Sequence, residues 1–206
     1  MLRRRPAPRV AGFTLIEMLV TMVVMAILVG LAMPMMGSWI RNSRLRAASD
    51  SLQDGIRLAQ AEALRRSHQV VFSLTDDKPT TTTYTAKTNG KNWAAKTVKR
   101  VSTTEVSEFV EAGMVAELES SITITGPKSI CFNSIGRLVA NDDPGTNAGT
   151  CTLPTNTPPM QSYDISYADA VAGVDRPLRV TVALGGQVRL CDPAKTLSSD
   201  HPDGCP

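Results

Sequence analysis

The sequence has few of the residues and motifs on which enzymes depend. Among its 206 residues, histidine occurs twice, at His68 and His201. There is no Gly-x-Ser-x-Gly, no His-Glu-x-x-His and no glycine-rich loop of the phosphate-binding kind. His201 lies near Asp200 and Asp203, but the prolines and glycine around it indicate a turn in the tail. These absences predict a protein with neither catalytic activity nor a cofactor.

The sequence also has little surplus positive charge outside its first residues. The chain carries 22 basic and 19 acidic residues, a net charge of +3. Residues 1–12 contain no acid and four arginines, which leaves 18 basic against 19 acidic residues in the remainder. Most of the chain therefore gives no overall electrostatic reason to bind nucleic acid, and any basic patch must be local.

A long apolar run follows these arginines. Residues 18–36 are apolar or small, broken by Thr21, Gly30 and Pro34, and about 20 such residues allow a helix to cross a bilayer. A cleaved secretory signal is disfavoured, because its apolar core has roughly 7–15 residues and a small-x-small site should follow at once. Trp39 suits a membrane interface, and the arginines place the N-terminus in the cytoplasm. The run predicts one membrane-spanning helix.

Residues 12–17 read Gly-Phe-Thr-Leu-Ile-Glu, between the basic leader and the apolar run. This motif resembles the class III signal of type IV prepilins. In that family a membrane peptidase cuts after the glycine and methylates the new N-terminal phenylalanine. The resemblance implies a leader over residues 1–12, cleavage between Gly12 and Phe13, and the prepilin peptidase as a partner. It also implies a single-pass inner-membrane protein with a periplasmic C-terminal domain, incorporated into an extracellular pilus.

Two residues of the apolar region are predicted to serve assembly. A carboxylate near the hydrocarbon boundary, as at Glu17, costs about 2.5–3.5 kcal/mol and needs a partner. Cleavage creates one, because the amine of Phe13 lies one helical turn away, and the amine of a neighbouring subunit can also serve. Pro34 removes the amide that would bond to the carbonyl of Gly30, which predicts a kink or local melting between residues 30 and 38.

The helix is predicted to continue beyond the membrane. One apolar stripe recurs every three or four residues, at Leu45, Ala48, Leu52, Ile56, Ala59 and Ala63. A helix from residue 13 to about 67 would be roughly 80 Å long at ~1.5 Å per residue, too long for one globule, so its first half must project. We therefore expect a transmembrane and assembly helix over 13–38 and a periplasmic head over 39–206.

The composition after residue 67 favours β-strands. Seven runs alternate with turn signals, at 69–74, 80–87, 121–125, 129–133, 161–167, 178–184 and 187–191. Residues 141–159 are rich in Asn, Pro, Gly and Thr and are expected to form a surface loop. The predicted fold class is α+β: a long N-terminal helix, its first half transmembrane, packed on an antiparallel β-sheet domain, the lollipop of pilins.

Four cysteines fall in the half of the chain that would be exported, where thiols are oxidised, and they predict two disulfides. Three pairings can be drawn. The local one, Cys131 with Cys151 and Cys191 with Cys205, would close the 141–159 loop and fasten the tail, and each bridge would contribute about 3 kcal/mol. A metal site is disfavoured, since no Cys-x-x-Cys spacing occurs and histidine is scarce.

Three later segments, 58–63, 130–137 and 185–193, resemble the GspH/FimT group of minor pilins and pseudopilins. This resemblance implies a non-catalytic minor pilin that primes or joins pilus assembly near the tip. The implied partners are other minor and major pilins and the inner-membrane assembly platform. A type II secretion pseudopilin of the GspH type is the alternative, and Pro34 together with the C-terminal cysteine pair favours the pilus.

DNA capture is a second function to weigh. Some FimT-like pilins bind DNA through a C-terminal Gly-Arg-x-Arg element, and this chain has Gly-Gln-Val-Arg at 186–189, which keeps Arg189 alone. Five cations also surround Trp93 without an intervening acid, at Lys87, Lys91, Lys96, Lys99 and Arg100. Such a cluster could clamp a single strand by phosphate contact and stacking. A solvated hairpin with a packed tryptophan is the favoured interpretation.

Overall fold

A computed structural model describes residues 12–78, 84–99, 106–145 and 147–206. The chain divides into two compact units, Met1–Ile40 and Arg41–Pro206, and the second is called the head below. The described elements are α1 (Leu15–Arg66), β1 (Val70–Thr75), β2 (Asn92–Thr97), β3 (Phe109–Gly113), α2 (Val115–Leu118), β4 (Ile122–Thr125), β5 (Ser129–Phe132), β6 (Leu138–Val139), β7 (Met160–Tyr167), β8 (Leu178–Ala183), β9 (Val188–Thr196) and β10 (Gly204–Cys205).

Helix α1 contains the predicted bend. Within the described residues, no single straight helix is long and apolar enough for a membrane span. Two parts of α1, Leu15–Leu31 and Met36–Arg66, meet the criterion together across a bend in the four residues between them. Pro34 lies in those four residues, and the backbone there remains helical. The helix therefore kinks where Pro34 removes an amide, and it does not melt.

In the head, α1 buries the stripe that its sequence predicts. Leu45, Ala48, Leu52, Ile56, Ala59 and Ala63 are all fully buried. They belong to one hydrophobic core, to which strands from both sheets contribute. Because the core residues all belong to Arg41–Pro206, the head has what it needs to fold alone. The predicted fold class, a long helix packed on antiparallel sheets, is confirmed.

The first sheet has the strand order β3-β2-β1-β5-β6 and is antiparallel throughout. Its central strand β1 is buried at all six positions. Val70, Phe72 and Leu74 join the core that contains α1, whereas Val71 belongs to a second, smaller cluster. Side chains alternate between the two faces of a strand. The first sheet is therefore covered on both faces.

The outer cover of the first sheet comes from the loop that follows β6. Ala148 and Cys151 pack with Val71, Val98 and Cys131 in the smaller cluster. The predicted 141–159 surface loop thus has a buried part. Exposed residues lie on both sides of that part, at 142–143 and at 155–159.

The second sheet has the strand order β10-β9-β8-β7-β4. Its pairs are antiparallel, except for the short parallel pair of β10 with β9. In β7, Tyr163, Ile165 and Tyr167 are buried and alternate with half-buried residues. This alternation places one face of the sheet on the core and leaves the other partly in solvent.

The strand predictions were right for six of the seven runs, and residues 80–83 of the seventh, 80–87, lie outside the described residues. The described part of that run makes one isolated bridge, between Thr75 and Ala86. The strands β2 and β3 were not predicted, because Asn-Trp-Ala-Ala-Lys-Thr and Phe-Val-Glu-Ala-Gly contain few β-branched residues. Pairing with β1 and burial at every position of β2 impose the strand despite its low propensity.

Candidate processing and assembly sites

The predicted cleavage site lies just outside helix α1. Residues 12–14 are not helical, and Phe13 is 78% exposed. Thr14 is the residue before the helix, and its hydroxyl accepts a hydrogen bond from the amide of Glu17 at 3.3 Å. The helix begins after the Gly12–Phe13 bond, so that peptide bond lies in an exposed, non-helical segment of the kind that a protease can bind.

Glu17 occupies the third helical position, three residues after the capping Thr14. A glutamate there favours helix initiation, both as the second member of a capping box and through its charge near the helix N-terminus. The carboxylate is exposed and stands four residues from Phe13. Glu17 thus has a local role in α1 as well as the assembly role predicted for it.

The first part of α1 is apolar on all sides and lies uncovered in the single chain. Leu15, Leu31 and the large apolar residues between them are each about half or more exposed. An uncovered helix of this kind is stable only in lipid or against other helices. The exposure of these apolar side chains therefore indicates a segment that packs in lipid or against other helices.

Both predicted disulfides are present. Cys131 is joined to Cys151 and Cys191 to Cys205, with Cα–Cα distances of 5.7 and 5.1 Å. The first fastens the covering loop to β5. The second fastens the C-terminal tail by joining β10 to β9. No metal-binding group of three or more acids, cysteines or histidines occurs among the residues that the structure describes.

Arg189 takes part in holding this tail. Its guanidinium donates a hydrogen bond to the carbonyl oxygen of Pro202, and Lys195 on the same strand forms an ion pair with Asp203. The cation that remains of the Gly-Arg-x-Arg element is thus engaged by the chain's own backbone. A phosphate would have to compete with that contact.

The predicted basic cluster is divided between the two faces of β2. Trp93 is 5% exposed and packs against Phe72 at a ring distance of 5.7 Å, with its indole N–H 3.3 Å from the hydroxyl of Ser51. Lys96 lies three positions further, on the opposite face, where its amino group is 4.5 Å from the ring centre of Tyr84. The tryptophan face is therefore enclosed, and these two side chains do not form one clamp.

The cations of the cluster lie in different environments. Lys96 is 7% exposed, and burial lowers the pKa of its amino group. Lys87 pairs with Asp76, whereas Lys91 and Lys99 are exposed. Arg100 lies outside the described residues. The packed tryptophan of the favoured interpretation is present, on a strand that pairs with β1 and β3.

One polar site of the head was not predicted from sequence. The guanidinium of Arg41 donates two hydrogen bonds of 2.9 Å to the carboxylate of Asp175 and stacks on Tyr167 at 4.1 Å. These hydrogen bonds lower the pKa of Asp175 and raise that of Arg41. The partners are 134 residues apart, so no local pattern could have indicated the pair.

Comparison with known proteins supports the N-terminal assignment. Residues 8–33 match the family model of the prokaryotic N-terminal methylation motif, so the predicted motif is confirmed and the chain carries the N-terminal signal of prokaryotic prepilins. Among solved structures, two crystal forms of the Pseudomonas aeruginosa PAO1 type IV minor pilin FimU resemble the chain, in space groups P21 and P65. They are 14% and 13% identical, cover 76% and 75% of this chain and 94% and 97% of their own, and have TM-scores of 0.47 and 0.44. A search of curated proteins finds no match.

We expect the head to bind double-stranded DNA weakly, with a dissociation constant of ~10⁻⁴–10⁻⁶ M at physiological salt, because Trp93 is enclosed and Arg189 is engaged. Fluorescence anisotropy over a salt series measures this. Arg189→Ala should change the affinity no more than Arg137→Ala does. Arg137 serves as the control because it is exposed, whereas Arg189 is half-buried. A tight complex abolished by Arg189→Ala alone would instead make DNA capture the main function.

Proposed function

We propose that this protein is a minor type IV pilin, a non-catalytic subunit that is built into a pilus-type filament through α1. The observation that carries the proposal is the continuity of three features in one helix. The methylation motif at 8–33 leads into an uncovered apolar segment, and the same helix then supplies the central stripe of the head core. A helix with these three parts suits storage in a membrane followed by packing among other such helices.

The proposed sequence of events follows the chemistry of the N-terminus. The precursor resides in the inner membrane with its head in the periplasm, as the basic leader requires. Peptidase cleavage between Gly12 and Phe13 removes four arginines and creates a new amine. Glu17 then neutralises that amine, in its own subunit or in a neighbour, as the helix leaves the membrane for the filament. The disulfides keep the exported head folded.

The place of the subunit in the filament is proposed from the resemblance to the GspH/FimT group. Within that group we favour a priming or adaptor subunit near the pilus tip, whose partners are other minor and major pilins and the assembly platform. The segments 58–63, 130–137 and 185–193 carry that resemblance, and the head brings them together: the Gln60 side chain donates to the Gly136 carbonyl at 2.8 Å, and Gly186 packs on the same carbonyl.

Processing provides the direct test. We expect the mature chain to begin at methylated Phe13, because the charged leader lies before the apolar run and the Gly12–Phe13 bond lies outside the helix. Intact-mass analysis of the membrane-extracted protein measures it. Gly12→Val should leave the precursor uncut, while Gly37→Val, at a glycine on the other side of the apolar run, should be processed normally. Cleavage after Pro34 would identify an ordinary secreted protein and remove the pilin assignment.

A further inference from the structure

The loop between β7 and β8 presents an apolar surface on the head. Residues 168–174 read Ala-Asp-Ala-Val-Ala-Gly-Val, and all seven are exposed. Val171 is 54% and Val174 42% exposed. Asp169 is the single charged residue of the seven. An exposed surface of small apolar residues with one charge among seven is typical of a contact site.

This loop is held in one conformation by hydrogen bonds directed toward α1. The carboxylate of Asp175, whose side chain is 2% exposed, accepts from Arg41 and from the amide of Val171 at 2.8 Å. The side chain of Asn42 donates to the Val174 carbonyl at 2.9 Å and accepts from the Arg176 amide at 2.8 Å. The polar groups of the loop therefore face the helix, while its apolar side chains face outward. A partner would meet a pre-organised surface, so binding would cost little conformational entropy of the loop.

We propose that loop 168–177 is a docking surface for the apolar N-terminal helix of a neighbouring pilin subunit. This inference rests on the proposed function, because only a filament brings such a helix to the head. The composition of the N-terminal helix indicates that this helix is the partner, because the chain contains no charged residue between Glu17 and Arg41. A helix of that composition suits a surface of valine and alanine, on which the single charged side chain of residues 168–174, Asp169, is already paired with Arg41 at 3.4 Å.

The anchoring of the loop supports the same occupant. Arg41 and Asn42, on which the loop is fixed, directly follow the uncharged stretch of α1 along the chain. The residues that fix the loop are thus adjacent in sequence to the stretch that we propose packs against other helices. A lipid surface is the other candidate, but loop 168–177 has one basic side chain, Arg176, and no aromatic one, whereas membrane interfaces favour clusters of both kinds.

Site-specific photo-crosslinking in the full-length protein tests the inference. The photoreactive residue p-benzoylphenylalanine replaces Val171, and in a matched protein it replaces Ile135, which is 65% exposed in the turn before β6. After illumination of sheared filaments, we expect adducts from position 171 to map to residues 13–40 of a pilin subunit, at about tenfold the yield from position 135. Adducts to lipid, or to peptides from pilin heads, would overturn the proposal.

Substitution of the two valines gives a second readout. In Val171→Gln/Val174→Gln the backbone hydrogen bonds of the loop remain, so the head should stay folded and the leader should still be cut. We expect about a tenfold lower filament-to-membrane ratio, since two apolar contacts are lost. The control Ile135→Gln/Leu153→Gln alters residues that are 65% and 42% exposed and should match the wild type.

The possible results separate the two proposals. If the wild type is uncut at Gly12 or is absent from filaments, the proposed function fails. If the wild type is cut and incorporated while the valine variant is incorporated equally well, the docking surface alone is wrong. A valine variant that is cut and accumulates in the membrane, beside a normally incorporated control, supports both.

Discussion

Glu17→Ala should remove the protein from filaments while leaving it in the membrane with its leader cut. The loss is expected to be at least about tenfold in the ratio of filament to membrane protein, because an unpaired amine would have to be buried among apolar helices, and an uncompensated buried charge costs about 3–5 kcal/mol. Quantitative immunoblotting of sheared filaments and membranes gives that ratio, and intact-mass analysis reports cleavage of the leader.

The structure shows why alanine alone does not isolate the charge. Glu17 lies three residues after the capping Thr14, and glutamine serves at that position of a capping box nearly as well as glutamate. Glu17→Gln therefore keeps the helix start and removes only the charge. If the Phe13 amine is the partner, both variants should be excluded from filaments. Restored incorporation of Glu17→Gln would show that Glu17 acts as a helix cap, and normal amounts of both variants would remove it from assembly altogether.

The helix of this protein was predictable because its pattern is local. The six buried stripe residues repeat at helical spacing, and that spacing is readable without knowledge of the sheets they contact. The disulfides were predictable for a related reason, since each joins cysteines 20 or 14 residues apart. The motif at 12–17 depends on adjacent residues alone.

The candidate DNA site was harder to predict because it depends on which face each side chain takes. Trp93 and Lys96 are three residues apart, which places them on the same side of a helix and on opposite sides of a strand. The segment was not predicted as a strand, so the separation of the two side chains was not predicted either. The Arg41–Asp175 contact could not be predicted from the sequence, because it forms only when β7 and β8 position the loop beside α1.

Gly186→Ala should destabilise the head by about 2–5 kcal/mol. Gly186 has a φ of +89°, where an L side chain costs about 1–2 kcal/mol. A Cβ added there would stand 2.0 Å from the Gly136 carbonyl oxygen and 2.2 Å from the Gln60 amide nitrogen, and overpacking of this kind costs about 1–3 kcal/mol. The turn would have to move away from α1, although Leu138 is tied to it by a hydrogen bond to the Leu184 carbonyl.

The neighbouring glycine supplies the control for this prediction. A Cβ at Gly185 would have nothing within 4 Å, so Gly185→Ala should change the free energy of unfolding by no more than about 0.5 kcal/mol. Urea unfolding of the head, Arg41–Pro206, measures both variants. Adding Gln60→Ala to Gly186→Ala should recover only part of the loss, because the Gly136 carbonyl belongs to the backbone and cannot be removed. Equal stability of the two glycine variants would show that the 130–137 and 185–193 segments do not meet at this carbonyl. Packing would then give no physical reason for the resemblance of these segments to the GspH/FimT group.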